Sequence, residues 1–319
     1  MPEVSVLVPV LNGRAYLEES TAAMSAQQVA GGVEFLMVDG GSTDGSRAFL
    51  EDLCSRDPRF RLLDNPGRTT PRALNIGLAH ARGEFVARMD AHSRYPDDYL
   101  AQGIERLRRG DVQAVSGPVL PVGAGVWSRR IACALLTRLG SGGADFRDLQ
   151  RERVVLSGFT GVWRAETVRG LGGWDEGWPV NQDVELASRL RAAGGRAVSV
   201  PSMVADYRPR NSLRALARQY ARYGHYRAKS AVRHPVSRRR AHLVCPGLVL
   251  TAVAALAPTP LQVPACILLG AYACGVAVTS ARAPLAAVDR LALPAVFVTM
   301  HAAWGLGYIS GWARYGWQR

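Results

Sequence analysis

Two stretches in the last third of this chain contain no aspartate, glutamate, lysine or arginine, and they limit the possible folds more than any other feature. Residues 243–281 form the first stretch and residues 291–313 the second. A helix needs about 20 apolar residues to cross the hydrocarbon core of a bilayer. Buried helices of a soluble protein are the alternative, but uncharged stretches of this length flanked by arginine favour membrane segments. With a break at Pro258 and Pro260, we predict about three spans within residues 243–319.

The positive charge of the chain is concentrated immediately before these stretches. The formal net charge is +13, and residues 211–242 contain nine basic residues and no acidic one. Residues 1–210 are therefore close to neutral, so the overall basicity does not indicate nucleic-acid binding. Positive charge flanks membrane spans on the cytoplasmic side. We therefore expect a multi-pass protein of the cytoplasmic membrane whose N-terminal domain faces the cytoplasm.

The basic segment has the pattern of an amphipathic helix. One stripe at helical spacing is apolar and aromatic, and a second stripe is basic (Leu213, Leu216, Ala217, Tyr220 and Tyr223; Arg214, Arg218 and Arg222). Such a helix beside a hydrophobic tail is typical of the membrane interface, although an amphipathic helix on a soluble domain shows the same pattern. We predict a basic amphipathic interfacial helix and linker over residues 211–242.

Residues 1–210 alternate between strand and helix patterns. Apolar β-rich runs and helical periodicity predict four strands with three helices between them (strands 4–10, 35–38, 61–63 and 85–89; helices 16–27, 46–53 and 71–81). This alternation is typical of an α/β fold with a doubly wound, mainly parallel sheet, whose ligands bind beyond the carboxyl ends of the strands. Polar residues follow those ends, namely Asn12, Asp39, Asp90 and His92.

Several motifs of other protein classes are absent. The sequence has no G-x-G-x-x-G fingerprint, no P-loop and no G-x-S-x-G elbow, which argues against those nucleotide-binding and serine-hydrolase designs. Its five cysteines show no C-x-x-C or Cys/His ligand spacing, so structural zinc and a disulfide framework are not expected. The polar residues at the strand ends are therefore the main candidates for chemistry.

Eight phrases of the sequence, in this order, carry a resemblance to a known family (VSVLVPVLN at 4–12, VDGGSTDG at 38–45, RMDAH at 88–92, GGWDE at 172–176, NQDVEL at 181–186, AGGR at 193–196, YRPR at 207–210 and QYARYG at 219–224). Together they resemble the inverting family 2 glycosyltransferases of GT-A fold, and most closely the succinoglycan-type exopolysaccharide transferases. The resemblance implies a GT-A catalytic domain over residues 1–210, with a nucleotide-sugar half at about 1–95 and an acceptor half at about 96–210. The C-terminal α-helical membrane region would then cover residues 243–319.

The resemblance implies a donor site at the first strand ends. Asp39 would accept hydrogen bonds from the nucleotide, beside Pro9 and Asn12, although an aspartate at this position is also a common turn residue. Arg68 and Asn75 would support the donor from the neighbouring loop and helix, or would be solvated surface groups.

The phrase Asp90-Ala91-His92 stands where the family has its D-x-D metal motif. By this resemblance, Asp90 and His92 would bind Mn²⁺ or Mg²⁺, with Asp90 also contacting the donor. A divalent cation stabilises the negative charge that a departing nucleoside diphosphate gains.

The acid that the resemblance assigns as general base is Asp183. Capping of a helix over residues 184–193 is its alternative role, and the two roles are compatible. The base would take the proton of the acceptor hydroxyl as its oxygen attacks opposite the leaving diphosphate, which inverts the sugar centre. Glu185 is the reserve candidate and is expected on the acceptor side.

Three tryptophans, at positions 163, 174 and 178, surround this phrase in the sequence. Indole rings pack in cores and also form platforms for sugars, so we expect Trp174 or Trp178 in the acceptor site. By resemblance, Phe159 would line the same side.

Gln219 and Arg222 resemble the family's Q-x-x-R-W motif, with Tyr223 in place of tryptophan. In processive synthases of the family this motif helps to hold the donor. Arg222 would therefore serve either the donor diphosphate or a lipid phosphate.

The sequence thus predicts a membrane-bound, metal-dependent hexosyltransferase of exopolysaccharide synthesis. It would use a nucleotide sugar, expected to be UDP-linked, and a polyprenyl-diphosphate-linked saccharide, with polysaccharide assembly proteins as further partners and no nucleic acid. A processive polysaccharide synthase and a polyprenyl-phosphate sugar synthase are the alternative enzymes. A membrane-tethered sugar-nucleotide sensor is the alternative outside enzymes.

Overall fold

A computed structural model describes residues 1–142, 149–156, 158 and 160–317. The chain divides into two compact units, which we call the N-terminal unit (Met1–Leu120 with Asp145–Tyr207) and the C-terminal unit (Pro121–Ala144 with Arg208–Arg319). The N-terminal unit ends within three residues of the predicted boundary at residue 210. The segment Pro121–Ala144, expected in the catalytic domain, is grouped with the C-terminal unit instead.

The N-terminal unit is built on an eight-stranded sheet with the order β3-β2-β1-β4-β9-β6-β10-β8. Its strands are β1 Val4–Val10, β2 Val33–Asp39, β3 Phe60–Asp64, β4 Phe85–Arg88, β6 Ala114–Ser116, β8 Arg153–Val154, β9 Gly161–Arg164 and β10 Ala197–Ser199. The first four strands are parallel, as predicted, whereas β9 runs antiparallel to both β4 and β6. The small strands β5 Ser93–Arg94, β7 Val119–Pro121 and β11 Ala205–Tyr207 form a second sheet.

Helices cover both faces of the large sheet. They are α1 Arg14–Ser25, α2 Ser46–Arg56, α3 Thr70–His80, α4 Tyr99–Arg108, α7 Ala165–Gly170 and α8 Gln182–Ala192. Side chains of β1 alternate between two apolar cores: Val6 and Val8 face the core that includes Leu17 of α1, and Leu7 faces the core that includes Leu74 of α3. This alternation confirms the doubly wound α/β arrangement.

The described part of the C-terminal unit is helical. Its helices are α5 Val126–Leu136, α6 Arg138–Ser141, α9 Leu213–Arg233, α10 Val244–Leu256, α11 Gln262–Ala281 and α12 Ala287–Tyr315. The Ser212 side chain accepts a hydrogen bond from the Ala215 amide and caps α9. Arg130 of α5 donates to Asp289 of α12 at 2.7 Å, which ties the segment before β8 to the C-terminal helices.

Among the described residues, two helices, α11 and α12, are long and apolar enough to cross a membrane. Pro258 and Pro260 lie in the predicted break between α10 and α11. With 13 residues, α10 is about 20 Å long, so the structure provides two helices of spanning length where the sequence predicted about three spans. Core helices of soluble proteins have similar composition, but only 17% of the most apolar window of α11 is buried.

Glycines bring α9 and α12 into backbone contact. A Cβ atom on Gly224 of α9 would lie 2.0 Å from the carbonyl oxygen of Trp304, and a Cβ atom on Gly307 of α12 would lie 2.0 Å from that of Ala221. No side chain of normal size fits at either crossing point, so these positions require glycine.

Candidate functional site

The candidate site lies at the carboxyl ends of the central strands of the N-terminal unit. The register pairs Val10 with Asp39 across β1 and β2, and Leu7 with Arg88 across β1 and β4. Asp90 follows β4 by two residues. Because β2 and β4 flank β1, and neighbouring strands lie about 4.8 Å apart, the Asp39 and Asp90 backbones are separated by about 10 Å. The strand-end residues predicted from the sequence therefore share one edge of the sheet.

Asp39 is buried, and its carboxylate is used by its own turn. The Gly41 and Ser42 amides donate to it, and the Ser42 hydroxyl donates at 2.6 Å. Gly41 has a φ of 72°, which favours glycine. Arg47 adds an ion pair at 3.6 Å. In this structure Asp39 therefore acts as the turn residue that the sequence left as an alternative.

Asn12 joins the loop after β1 to this turn. Its backbone amide donates to the Ser42 hydroxyl, and its side-chain oxygen accepts from the Thr43 backbone amide at 2.8 Å. Asn12 has a φ of 52°, a conformation that asparagine tolerates better than most residues. Pro9, half-buried, lies opposite Val38 within β1. Both residues therefore lie at the carboxyl end of β1, near the turn that carries Asp39.

Asn75 and Arg68 differ in their surroundings. The Asn75 side chain accepts from the Trp174 amide and donates to the Trp174 carbonyl oxygen, both at 2.8 Å. Its amide group thus holds the loop that leads towards Asp183. Arg68 is exposed, and one of its guanidinium nitrogens lies over Gly41, beside the turn that Asp39 stabilises.

A buried ion pair fixes Asp90. The Arg88 Nε donates to one carboxylate oxygen at 2.8 Å and Nη2 donates to the other at 3.2 Å. The Asp90 amide donates to the Tyr95 hydroxyl. Burial and the nearby Asp90 charge raise the pKa of Tyr95 well above its ordinary value, so this hydroxyl stays neutral at physiological pH.

His92 lies two residues further on and is exposed. Its ring packs edge-on against Tyr16 of α1, with 6.5 Å between the ring centroids. The Ser93 amide donates to the Asp90 carbonyl oxygen, which closes the turn that carries both predicted metal ligands.

Asp183 is half-buried in the first turn of α8. The helix begins at Gln182, two residues before the predicted start, with Asn181 as its N-terminal cap at a φ of 61°. No side-chain capping bond forms at this end, so the capping role considered for Asp183 is wrong. Within the described part of the chain, its carboxylate has no hydrogen bond or ion pair. It lines a small cavity with Ser116, Gly158 and Trp163.

Glu185, the reserve candidate, is buried and paired. Arg189 donates to both of its carboxylate oxygens at 2.7 and 2.6 Å. The same guanidinium donates to the carbonyl oxygens of Leu171 and Gly173. Glu185 therefore supports the loop before Asp183.

The predicted aromatic acceptor residues lie in the protein interior. Trp163, Trp174 and Trp178 are all buried, and the first two rings meet edge-to-face at 6.0 Å between centroids. None of them presents an open face in this structure, which favours the packing role. Phe159 lies outside the described residues.

Gln219 and Arg222 lie on α9 of the C-terminal unit. The side-chain amide of Gln219 donates to the Tyr223 hydroxyl at 2.9 Å, one helical turn away. The Arg222 side chain is exposed. The tyrosine that replaces the expected tryptophan therefore contacts the glutamine of the same motif.

Known proteins match this chain over most of its length. The family model described as "Glycosyl transferase family 2" matches residues 5–164, and "Glycosyl transferase family group 2" matches residues 85–309. The succinoglycan biosynthesis protein ExoA of Rhizobium meliloti (strain 1021) is 32% identical over 95% of this chain and 93% of ExoA. This chain belongs to the family 2 glycosyltransferases.

Three further proteins are similar to this family 2 glycosyltransferase at lower identity. The pre-mycofactocin glycosyltransferase of Mycobacterium tuberculosis is 28% identical over 73% of this chain and 48% of its own. Mannosyltransferase PcManGT of Pyrobaculum calidifontis, solved with GDP-Man and Mn²⁺, covers 100% of this chain and 88% of its own at 23% identity, with a TM-score of 0.66. The crystal structure of residues 1–349 of S. aureus TarS has a TM-score of 0.52 at 14% identity, and it covers 99% of this chain and 92% of its own. These likenesses confirm the GT-A type fold.

Asp90 and His92 are the two candidate metal ligands of this site. Among the described residues, no group of three or more His, Cys, Asp or Glu side chains could hold a metal ion. One carboxylate and one imidazole leave most positions of Mn²⁺ or Mg²⁺ free. Substrate phosphates commonly supply oxygen ligands of Mg²⁺, so the chemistry of Asp90 and His92 would suit a cation that is bound together with a diphosphate.

Arg88 is the site residue that the sequence analysis missed. It stands inside the RMDAH phrase, but no role was assigned to it. The signal in the sequence was an arginine at the end of an apolar strand. Because buried arginines are nearly always paired, this position indicated an ion pair with a neighbouring acid.

Proposed function

We propose that this family 2 glycosyltransferase transfers a hexose from a nucleotide sugar to a polyprenyl-diphosphate-linked saccharide in exopolysaccharide synthesis, with inversion at the sugar centre. The similarity to ExoA over nearly the whole of both chains supports the pathway. The observation that carries the catalytic proposal is the Asp183 carboxylate, which is half-buried and without a hydrogen-bond partner among the described residues.

Asp183 is the proposed general base. Its free carboxylate oxygen accepts the proton of the acceptor hydroxyl. The hydroxyl oxygen then forms a bond to the anomeric carbon, while the bond from that carbon to the diphosphate oxygen breaks on the opposite side. The electron pair leaves with the nucleoside diphosphate, and the sugar centre is inverted.

The donor side is proposed around the edge of β1, β2 and β4. Pro9, Asn12 and Arg68 border the nucleotide, and Asp39 holds the turn beside it. Asp90 and His92 would bind Mn²⁺ or Mg²⁺ together with the diphosphate. When bound, the cation stabilises the negative charge of the leaving group. Gln219 and Arg222 are proposed phosphate-binding residues of α9.

The acceptor side is proposed around Asp183. Trp174 and Trp178 shape it from the interior, and Glu185 fixes its loop through Arg189. The exposed apolar surface of α11 supports membrane attachment, and the arginines of α9 support a cytoplasmic location for the active site. A lipid-linked acceptor is consistent with both features.

The test uses membranes from cells that produce the full chain. Radiolabelled UDP- and GDP-linked sugars are incubated with extracted lipid-linked acceptors, and label is counted in the lipid fraction. We expect incorporation by the wild type and by Asp52→Asn, a surface control on α2. Incorporation should stop with chelator and return with Mn²⁺ or Mg²⁺. No turnover with any donor, or full turnover by Asp183→Asn, would contradict the proposal.

The product distinguishes the alternative enzymes. Addition of one sugar to a lipid diphosphate saccharide supports the proposal, whereas long polymers would indicate a processive synthase. Transfer to bare polyprenyl monophosphate would indicate a lipid-phosphate sugar synthase. Nucleotide binding without turnover would indicate a sensor.

A further inference from the structure

Arg88 is a charged residue at the end of a strand in which every residue is buried. The side chain is 8% exposed. Two of its nitrogens bind the two carboxylate oxygens of Asp90, one nitrogen to each oxygen. A planar fork of this kind fixes the plane and the direction of a carboxylate, which a single hydrogen bond does not.

The third guanidinium nitrogen has no hydrogen-bond acceptor among the described residues. Nη1 of Arg88 is buried, and none of the described residues accepts from it. Unpartnered buried donors are rare in folded proteins and frequently mark functional positions. Gly161 pairs with Arg88 across β4 and β9, two residues before Trp163, which shares a cavity with Asp183.

The guanidinium also interacts with a second carboxylate. Burial opposes its charge, but the carboxylates of Asp90 and then of Asp183 hold the pKa of Arg88 above its ordinary value.

We propose that Arg88 is a positioning residue that orients the Asp90 carboxylate towards a cation–diphosphate pair. This inference rests on the role proposed above for Asp90. Arg88 itself does not need to touch the substrate, because it acts through Asp90.

Lysine at position 88 separates charge from orientation. It keeps the positive charge but replaces the planar fork by a single ammonium group. Loss of a residue that orients a metal ligand typically lowers metal affinity 10–100-fold. We therefore expect Arg88→Lys in the purified full chain to bind Mn²⁺ 10–100-fold more weakly in the presence of UDP or GDP, measured by calorimetry and by the Mn²⁺ EPR signal.

Arg106→Lys is the matched control. Arg106 is 9% exposed and binds both carboxylate oxygens of Asp111, at 2.5 and 3.0 Å. This variant should keep the wild-type Mn²⁺ affinity. The thermal melting temperature of both variants shows whether they are folded. If Arg88→Lys does not fold, Arg88→Gln replaces it, with the same expected loss.

A double-variant cycle tests whether Arg88 acts through Asp90. In an Asp90→Asn background, Arg88→Lys should cause no further loss of Mn²⁺ affinity. Wild-type Mn²⁺ affinity in folded Arg88→Lys or Arg88→Gln would overturn the role of Arg88 and leave the metal proposal intact. Losses of affinity that multiply in the double variant would do the same. A wild-type chain that binds no Mn²⁺ with either nucleotide would overturn the metal proposal together with it.

Discussion

Asp39 and Asp183, two acids of the N-terminal unit, have opposite surroundings. The Asp39 carboxylate is buried and receives hydrogen bonds from the turn that follows β2. The Asp183 carboxylate is half-buried and forms no hydrogen bond or ion pair with the residues that the structure covers. The Asp39 carboxylate therefore stabilises its turn, whereas the Asp183 carboxylate keeps lone pairs that are available to a ligand. Both are aspartates in conspicuous motifs, so residue type alone does not distinguish the two roles.

Asp183→Asn should produce the largest effect on activity. Asparagine keeps the size of the side chain but cannot accept a proton, and general-base catalysis typically contributes 10²–10⁴-fold. We expect kcat to fall about 1,000-fold while the melting temperature stays within about 2 °C of the wild type. Kinetics and a thermal scan on the same preparation check both values. A large loss of stability would show that Asp183 supports the fold after all.

Asn75→Ala should weaken the loop that leads to Asp183. The substitution removes both hydrogen bonds to the Trp174 backbone. Each unsatisfied group costs about 1–3 kcal/mol when buried, and small displacements of a catalytic group reduce rates markedly. We expect about a 10-fold loss of kcat and faster amide exchange at Trp174. Asn75→Asp, which keeps the acceptor for the Trp174 amide, should lose less; equal rates for all three chains would contradict this role.

Asp39→Asn should show the reverse pattern of Asp183→Asn. The amide cannot accept all the bonds that Gly41 and Ser42 donate, so we expect a loss of about 1–3 kcal/mol in stability. The fall in kcat should be only a few-fold, with any rise in KM confined to the nucleotide sugar. Thermal melting and donor-dependent kinetics measure the two effects. If turnover disappears while stability is unchanged, Asp39 contacts the donor directly.

Glu34→Gln should have the smallest effect, visible only in the pH dependence of stability. Burial alone would raise the pKa of Glu34, but hydrogen bonds from Arg82 and Ser5 outweigh it and hold the pKa below its ordinary value of 4.5. The resulting stabilisation is present above pH 4.5 and is lost as pH falls through the lower, folded-state pKa. We expect the variant to melt about 2–4 °C lower at pH 7 and to converge with the wild type in acid. A constant difference at all pH values would contradict this.

The sequence predicted the succession of strands and helices in the first half because local patterns determine it. Apolar runs and turn residues located all four initial strands, and therefore the edge that carries Asp39 and Asp90. The parallel pairing follows from the helices between the strands. Motif order along the chain was enough to predict the family.

Contacts between distant positions were beyond the reach of sequence patterns. The link from Arg130 to Asp289 spans 159 positions and assigns α5 to the C-terminal unit. Similarly, the Asn75 side chain bonds to the backbone of Trp174, 99 positions away. The tryptophans were ambiguous because core packing and sugar binding use the same side chain, and only their burial favours packing.

The glycine crossings of α9 and α12 have a mechanical consequence. The backbone of one helix is in close contact with a carbonyl group of the other at two points, Gly224 with Trp304 and Gly307 with Ala221. This close contact couples the positions of the two helices. A change in the tilt of α12 would therefore change the tilt of α9 as well. The arginine stripe of α9 would move together with α12.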